Sequence, residues 1–445
     1  MSMNGQKTVA AATLGCKVNF YETEAMLEQF ARQGYTIVDF TEVADIYIIN
    51  TCTVTNLGDK KSRQMIRRAN KQNPDAIVVA AGCYAQVAPE EVAKIEGVSL
   101  IVGTKDRAGV VSLVASLMEA SASKDAEKMA QRTIVTDVMH ERVFEPLSVE
   151  KLQDRQRAYI KIQEGCDRFC AYCIIPYARG PVRSRPLAEV VDEVKRLAAN
   201  GYKEVVLSGI HVASYGKDFK GADLNLLRAL EASHEVEGIE RIRMSSVEPT
   251  IVTEEFARAV AAMPKICDHF HLSLQSGCDR TLQRMNRRYT AAEYRRAAEI
   301  LRAHMPDVAL TTDVIAGFPD ETEADFEECY TFVESLALAQ LHVFPYSAKK
   351  GTPAAEFAGQ IPKSIKEERV KRLMYLSNKM HDAFLQSLVG REMTVLFERA
   401  SDGVCVGHTT NYIQVSTAAD AGLVNQIVPV RITAVDGGMA QGELC

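Results

Sequence analysis

Apolar positions in residues 7–118 fall into short runs separated by amphipathic stretches. Residues 8–13, 46–49 and 77–81 read as buried strands, and 23–33 and 60–71 carry helical spacing between them. That alternation predicts an open parallel α/β sheet. Residues 155–380 resume it with six strand candidates at 158–163, 204–208, 241–245, 270–274, 308–315 and 341–344. Helical stretches such as 186–199, with Pro at its start, lie between them. Six βα units are fewer than a closed eight-fold barrel needs, so a partial (βα)6 barrel is expected. After Gly390 the period changes to two, in REMTVLFE, GVCVGHT, NYIQVST and IVPVRITAVD, which predicts a small antiparallel β-barrel. Four segments follow: an α/β domain at 1–118, a polar linker at 119–154, a core at 155–380 and a terminal barrel at 381–445. No internal repeat or low-complexity run interrupts them.

A length of 445 residues fits about three domains. The N-terminus carries no apolar leader, and no run reaches the roughly 20 residues that span a bilayer. A cytoplasmic protein without membrane contact is expected. A monomer is expected too, since no heptads or long apolar stripes appear. The net charge of −6 argues against a chain that coats nucleic acid over its whole surface, but leaves room for a local basic footprint.

Eleven cysteines change this picture. In a reducing compartment, clustered cysteines point to metal or catalysis. Cys267, Cys278, Cys329, Cys405 and Cys445 have no ligand spacing and read as core filler or incidental surface thiols. Cys16, Cys52 and Cys83 each follow one N-terminal strand, and an open parallel sheet gathers its strand ends on one edge. Cys166, Cys170 and Cys173 form C-x-x-x-C-x-x-C after the first strand of the core. Thiolates are the natural ligands of a four-iron cluster, which takes four; three leave one iron open to a reactant. Such an iron would chelate the amino and carboxylate groups of S-adenosylmethionine (SAM), and an electron would cleave SAM to a 5′-deoxyadenosyl radical. A zinc site is the alternative, although zinc motifs tend to pair two C-x-x-C groups.

Other strand ends suit a SAM pocket, each with a plainer reading as a loop or helix cap. Ser208 and Gly209 would receive the amino group, and Ser245 and Glu248 the ribose or amino-acid moiety. Asp313, Ile315 and Gly317 would pass the adenine.

The run from Tyr159 through Cys166 to Arg185 closely resembles the radical SAM methylthiotransferases. Further matches are His271 to Gly277, which includes Gln275 as a SAM contact, Arg284 to Tyr289, and Gly317-Phe318-Pro319. The resemblance spans essentially the whole chain. It implies a terminal barrel of the RNA-binding TRAM type and a second [4Fe-4S] cluster on Cys16, Cys52 and Cys83, which carries the sulfur. One SAM would donate the methyl group and another the radical. A flavodoxin- or ferredoxin-like electron donor and a sulfur source are implied as partners. Three substrates are open within the family: N6-threonylcarbamoyladenosine beside the anticodon of tRNA (position 37), N6-isopentenyladenosine at the same place, and an aspartate of a ribosomal protein. Gly15-Cys16-Lys17-Val18-Asn19 resembles the threonylcarbamoyl branch, so the tRNA anticodon stem-loop is the expected partner. A non-catalytic iron–sulfur protein that binds RNA or carries electrons is the reading from another class; it would be expected to close each site with a fourth thiolate.

Lys60, Arg63, Arg67 and Lys71 recur three or four residues apart and share a helix face suited to phosphates, or simply to solvent. Arg179, Arg183 and Arg185 are expected along the substrate or phosphate path. Tyr412 and Arg431 of the terminal barrel are consistent with single-stranded RNA.

Overall fold

The computed structural model describes residues 6–123, 131–150 and 156–445. The N-terminal strands are β1 (Thr8–Thr13), β2 (Thr36–Ile37), β3 (Ile46–Thr51), β4 (Ile77–Gly82), β5 (Val98–Val102) and β6 (Arg132–Ile134). They lie parallel in the order β2-β1-β3-β4-β5-β6. All of β3 is buried, as expected when crossover helices cover both faces of a parallel sheet. Ile49, Val78 and Ile101 pack on Ile66 and Ala69 of helix Asn56–Gln72. Ile48 and Val79 pack oppositely on Met26, Phe30 and Val114.

The expected linker is partly built into this domain. Helix Val110–Ser123 runs past residue 118, and β6 pairs with β5. Residues 124–130 and 151–154 of that stretch lie outside the described residues.

The core contains β7 (Arg157–Glu164), β8 (Arg183–Ser184), β9 (Glu204–Gly209), β10 (Arg241–Met244), β11 (His269–His271), β12 (Ala309–Ala316) and β13 (Gln340–Pro345). Parallel pairing joins β7-β9-β10 and β11-β12-β13. Single bridges at Ile242–Ile266 and Val247–Leu272 connect the two halves, which makes an open half-barrel. The fourth parallel strand is shorter than 270–274. Beyond His271 the chain makes only bridges, and Gln275 turns to φ 72°.

Helix Lys17–Arg32 belongs to both domains. Its Tyr21 and Ala25 enter the core cluster with Ile160, Ile162 and Leu207. The Tyr21 hydroxyl donates to Leu147 O at 2.7 Å and Glu193 Oε1 at 3.0 Å.

Helix Lys363–Gln386 crosses the expected boundary near 380 and leads into a closed barrel. Its strands are β14 (Glu392–Ser401), β15 (Val404–Thr409), β16 (Gln414–Ala418), β17 (Ile427–Asp436) and β18 (Met439–Leu444). All its pairs are antiparallel except β16 with β18. This barrel docks under the amino ends of the core strands. Arg241 donates to Thr394 O at 2.7 Å and His408 O at 2.9 Å, and Arg243 to Thr410 O at 2.9 Å. Tyr412 stacks between His269 and His408, with centroids 4.8 and 5.0 Å away. Arg243 and Arg157 lie over its ring. Tyr412 is therefore a docking residue between barrels, not a free platform for a base. Arg431 is exposed and pairs with Glu392. Among the described residues, no helix is long and apolar enough to cross a membrane.

Candidate active site

Cys16, Cys52 and Cys83 directly follow or lie close beyond the carboxyl ends of β1, β3 and β4, which are adjacent in the sheet. The winding reverses between β1 and β3, the place where open parallel sheets bind ligands. Gly15, at φ 100°, lets this edge close up: a Cβ there would stand 2.9 Å from Cys52 Sγ. In the core, Gly165 leads from β7 into the Cys166 loop at φ 73°, and a Cβ would overlap Pro181 O at 1.8 Å. The loop is pinned by hydrogen bonds from Cys166 N to Gly180 O (3.0 Å) and Ala171 N to Met285 O (2.9 Å).

Members of both triads, Cys16 and Cys52 from one and Cys173 from the other, line one cavity of about 470 Å³ together with Tyr172, Gln275 and Asp313. Ile315 and Phe344 add apolar wall. Each triad also receives a buried arginine. Arg179 Nε donates to Cys83 Sγ at 3.2 Å, and Arg287 Nη1 donates to Cys170 Sγ at 3.3 Å. Burial pushes the thiols of Cys83 and Cys173 up to about 12 and that of Cys166 to about 11. At neutral pH these thiols stay protonated until a metal displaces the proton, so free-thiolate nucleophilic catalysis is disfavoured. Among the described residues no three Cys, His, Asp or Glu side chains converge on a single ion position. A cluster binds each thiolate at a different iron and takes more widely spaced sulfurs. Arginine donors to the sulfurs fit its anionic character.

Of the expected SAM contacts, Gln275, Asp313 and Ile315 line the cavity. The hydroxyls of Ser208 and Ser245 are buried without a hydrogen-bond partner, as unfilled ligand positions would be. Glu248 is bound by His211 Nε2 (3.2 Å), Arg287 Nη2 (3.3 Å) and Arg168 Nη2 (2.5 Å). Burial pushes its carboxyl up, but His211, Arg287 and Arg168 outweigh that and hold it at about 2. Gly209 abuts Gln163 and Gly317 abuts Lys366; neither is among the cavity residues.

Arg179 and Arg183 are corrected. Both are buried, so neither meets a phosphate at the surface. Arg179 donates to Glu22 Oε1 (2.6 Å) and Glu164 Oε1 (3.1 Å). Lys161 bonds the same two carboxylates at 2.8 and 2.5 Å, and Arg107 pairs with Glu22 and, at 2.7 Å, Glu145. Arg183 donates to Arg179 O at 3.0 Å, and Arg185 is buried against Glu193 and Tyr21. This network joins the two triads. Lys60, Arg67 and Lys71 are exposed, whereas Arg63 is held by the Tyr84 hydroxyl at 2.9 Å. Sequence reasoning missed Arg179 and Arg287 as partners of the cysteines. The only signal was a charged residue inside each matching motif.

The radical SAM superfamily profile matches residues 160–333, and that of the uncharacterized protein family UPF0004 matches residues 8–103. A threonylcarbamoyladenosine tRNA methylthiotransferase MtaB of Bacillus subtilis is 43% identical, over 96% of this chain and 93% of that one. The chain belongs to the radical SAM methylthiotransferase family. The MtaB of Aquifex aeolicus is 40% identical, over 87% of this chain and 92% of its own. A tRNA-2-methylthio-N(6)-dimethylallyladenosine synthase of Cereibacter sphaeroides is 34% identical over 99% of both chains. Among solved structures, the radical SAM methyltransferase TsrM of Kitasatospora setae, with cobalamin and a [4Fe-4S] cluster bound, superposes with a TM-score of 0.57. It is 16% identical and covers 90% of this chain and 80% of its own, a likeness of fold. As a radical SAM methylthiotransferase, the protein uses SAM and a [4Fe-4S] cluster.

Proposed function

We propose that this methylthiotransferase places a methylthio group on C2 of N6-threonylcarbamoyladenosine beside the anticodon of tRNA. The observation that carries the reading is the single cavity lined by members of both triads, Cys16 and Cys52 from one and Cys173 from the other. One triad would hold the radical-generating cluster and the other a second [4Fe-4S] cluster that presents the sulfur, so the same carbon would be reached from both. When bound, the first cluster and SAM supply the radical that removes hydrogen from an unactivated carbon. The chain's residues hold and shield the reactants. Arg179 and Arg287 neutralise the sulfurs, Glu248 orders the Arg168–His211–Arg287 cluster, and Ile315 and Phe344 exclude water. An adenosine in a loop is already unpaired and is extruded at little cost. Lys60, Arg67 and Lys71 would take flanking phosphates, and a flavodoxin- or ferredoxin-like donor would supply electrons.

The MtaB names at 43% and 40% identity support the threonylcarbamoyl substrate. The dimethylallyl reading rests on the 34% relatives and the apolar wall of the cavity. Methylthiolation of a ribosomal protein has no relative among those described to support it. The test is Cys52→Ala against Cys170→Ala in reconstituted protein. Cys52→Ala is expected to keep SAM cleavage and lose thiolation, and Cys170→Ala to lose both. Loss of SAM cleavage in Cys52→Ala despite an intact cluster on the other triad, or retention of thiolation in it, would overturn the division of labour.

A further inference from the structure

Lys17 follows Cys16, yet its electrostatic neighbours lie in the half-barrel lumen: Tyr412, Arg243, Arg157, Glu204, His269 and His342. The lumen carboxylates are already engaged. Glu204 binds Arg243 at 2.9 Å, Glu398 binds Arg157 at 3.1 Å and His408 at 2.7 Å, and Asp313 binds His271 at 3.2 Å. Among the described residues Lys17 forms no ion pair of its own: Glu204 and the Tyr412 hydroxyl attract its ammonium without bonding it, and the side chain, exposed along its length, is partly desolvated at its tip in the lumen. On the opposite wall, His342 of β13 is exposed and stacks on His271 at 5.5 Å and 27°. His342 is the direct cross-strand neighbour of Asp313, which lines the cavity of the two triads. Partial desolvation of the ring against the lumen wall, reinforced by His271, holds the His342 imidazole below its ordinary pKa, so at neutral pH it offers a neutral hydrogen-bond donor although its edge is exposed.

An unengaged ammonium facing an imidazole pair, beside a largely apolar cavity, matches an adenine whose exocyclic nitrogen carries an anionic tail. We infer that Lys17, with His342 and His271, forms the specificity site for a carboxylate on the N6 substituent of the substrate. This deepens the function proposed above and rests on it, because the threonylcarbamoyl group ends in a carboxylate and an isopentenyl group does not. The apolar tail would leave Lys17 desolvated without a partner, which discriminates against it. Lys17 and His342 are specificity residues, not catalytic ones.

The test uses cluster-loaded protein and anticodon stem-loop RNA carrying N6-threonylcarbamoyladenosine, its carboxyl methyl ester, or N6-isopentenyladenosine. Binding is read by fluorescence anisotropy and product by mass spectrometry. Wild type is expected to favour the acid over the ester by about ten- to a hundredfold, the range of a charge-assisted hydrogen bond. Lys17→Gln and His342→Phe should each shrink that ratio toward one. Iron content is measured for both variants, and His342→Phe, remote in sequence from the cysteines, keeps the test decisive if Lys17→Gln loads poorly. Turnover of the acid form with equal affinity for acid and ester overturns this inference and leaves the proposed function standing. Undiminished discrimination in both variants does the same. Failure of wild type to modify the threonylcarbamoyl RNA while it modifies the isopentenyl RNA overturns both.

Discussion

Arg179→Met should be the most damaging single substitution outside the cysteines. The guanidinium is fully buried and donates to Cys83 Sγ, Asn19, both oxygens of Glu22, and Glu164. Methionine fills similar volume but leaves Glu22 and Glu164 with only Lys161 and Arg107. Breaking a buried pair in this way costs about 3–5 kcal/mol, because the remaining carboxylates stay desolvated. Arg179→Lys keeps the charge but not the planar fork, so its loss should be intermediate. Urea midpoints of the three proteins measure this, with exposed Arg431→Ala as a control whose midpoint should not move. A second readout is specific to the site. Loss of the donor to Cys83 should lower the reduction potential of a cluster on Cys16, Cys52 and Cys83 and leave that of the other cluster unchanged. A loss below about 1 kcal/mol, the value of a surface pair, would refute the reasoning.

Two further outcomes follow from charges at the site. The folded pKa of Glu248 is depressed to about 2, so its stabilisation is complete above the unfolded value near 4.5 and disappears as pH falls toward 2. It amounts to about 3 kcal/mol. Glu248→Gln should flatten the acid limb of stability against pH in cluster-free protein by about one proton, and parallel limbs would contradict the pairing. Reversing Lys60, Arg67 and Lys71 to Glu together should weaken anticodon stem-loop binding and reduce the slope of log affinity against log salt by about 2–3. An unchanged slope would place the phosphate path elsewhere.

Strand positions and the placement of all six cysteines at strand ends were legible in the sequence, because burial on both sheet faces leaves uninterrupted apolar runs such as Ile46–Ile49. Contacts between distant residues were not. Arg179 and Arg183 look like phosphate ligands in a local basic run, and only the pairing with Glu164 of β7 and with Glu22, brought in by the N-terminal domain, makes this run interior. Tyr412 resembles a stacking platform until the docked barrels bring His269 and His408 to stack on its ring. β6 lies within the stretch expected as linker because three residues, Arg132–Ile134, carry too short a pattern to declare a strand. Gly317 sits at a strand end as expected, but the helix Lys363–Gln386 brings Lys366 against it.

The central claim is best tested by mass spectrometry of tRNA nucleosides from cells that lack this protein. The account predicts loss of the 2-methylthio mark from N6-threonylcarbamoyladenosine alone, restored by the wild-type gene and not by Cys52→Ala. An unchanged nucleoside profile, or loss confined to the isopentenyl derivative, would contradict it.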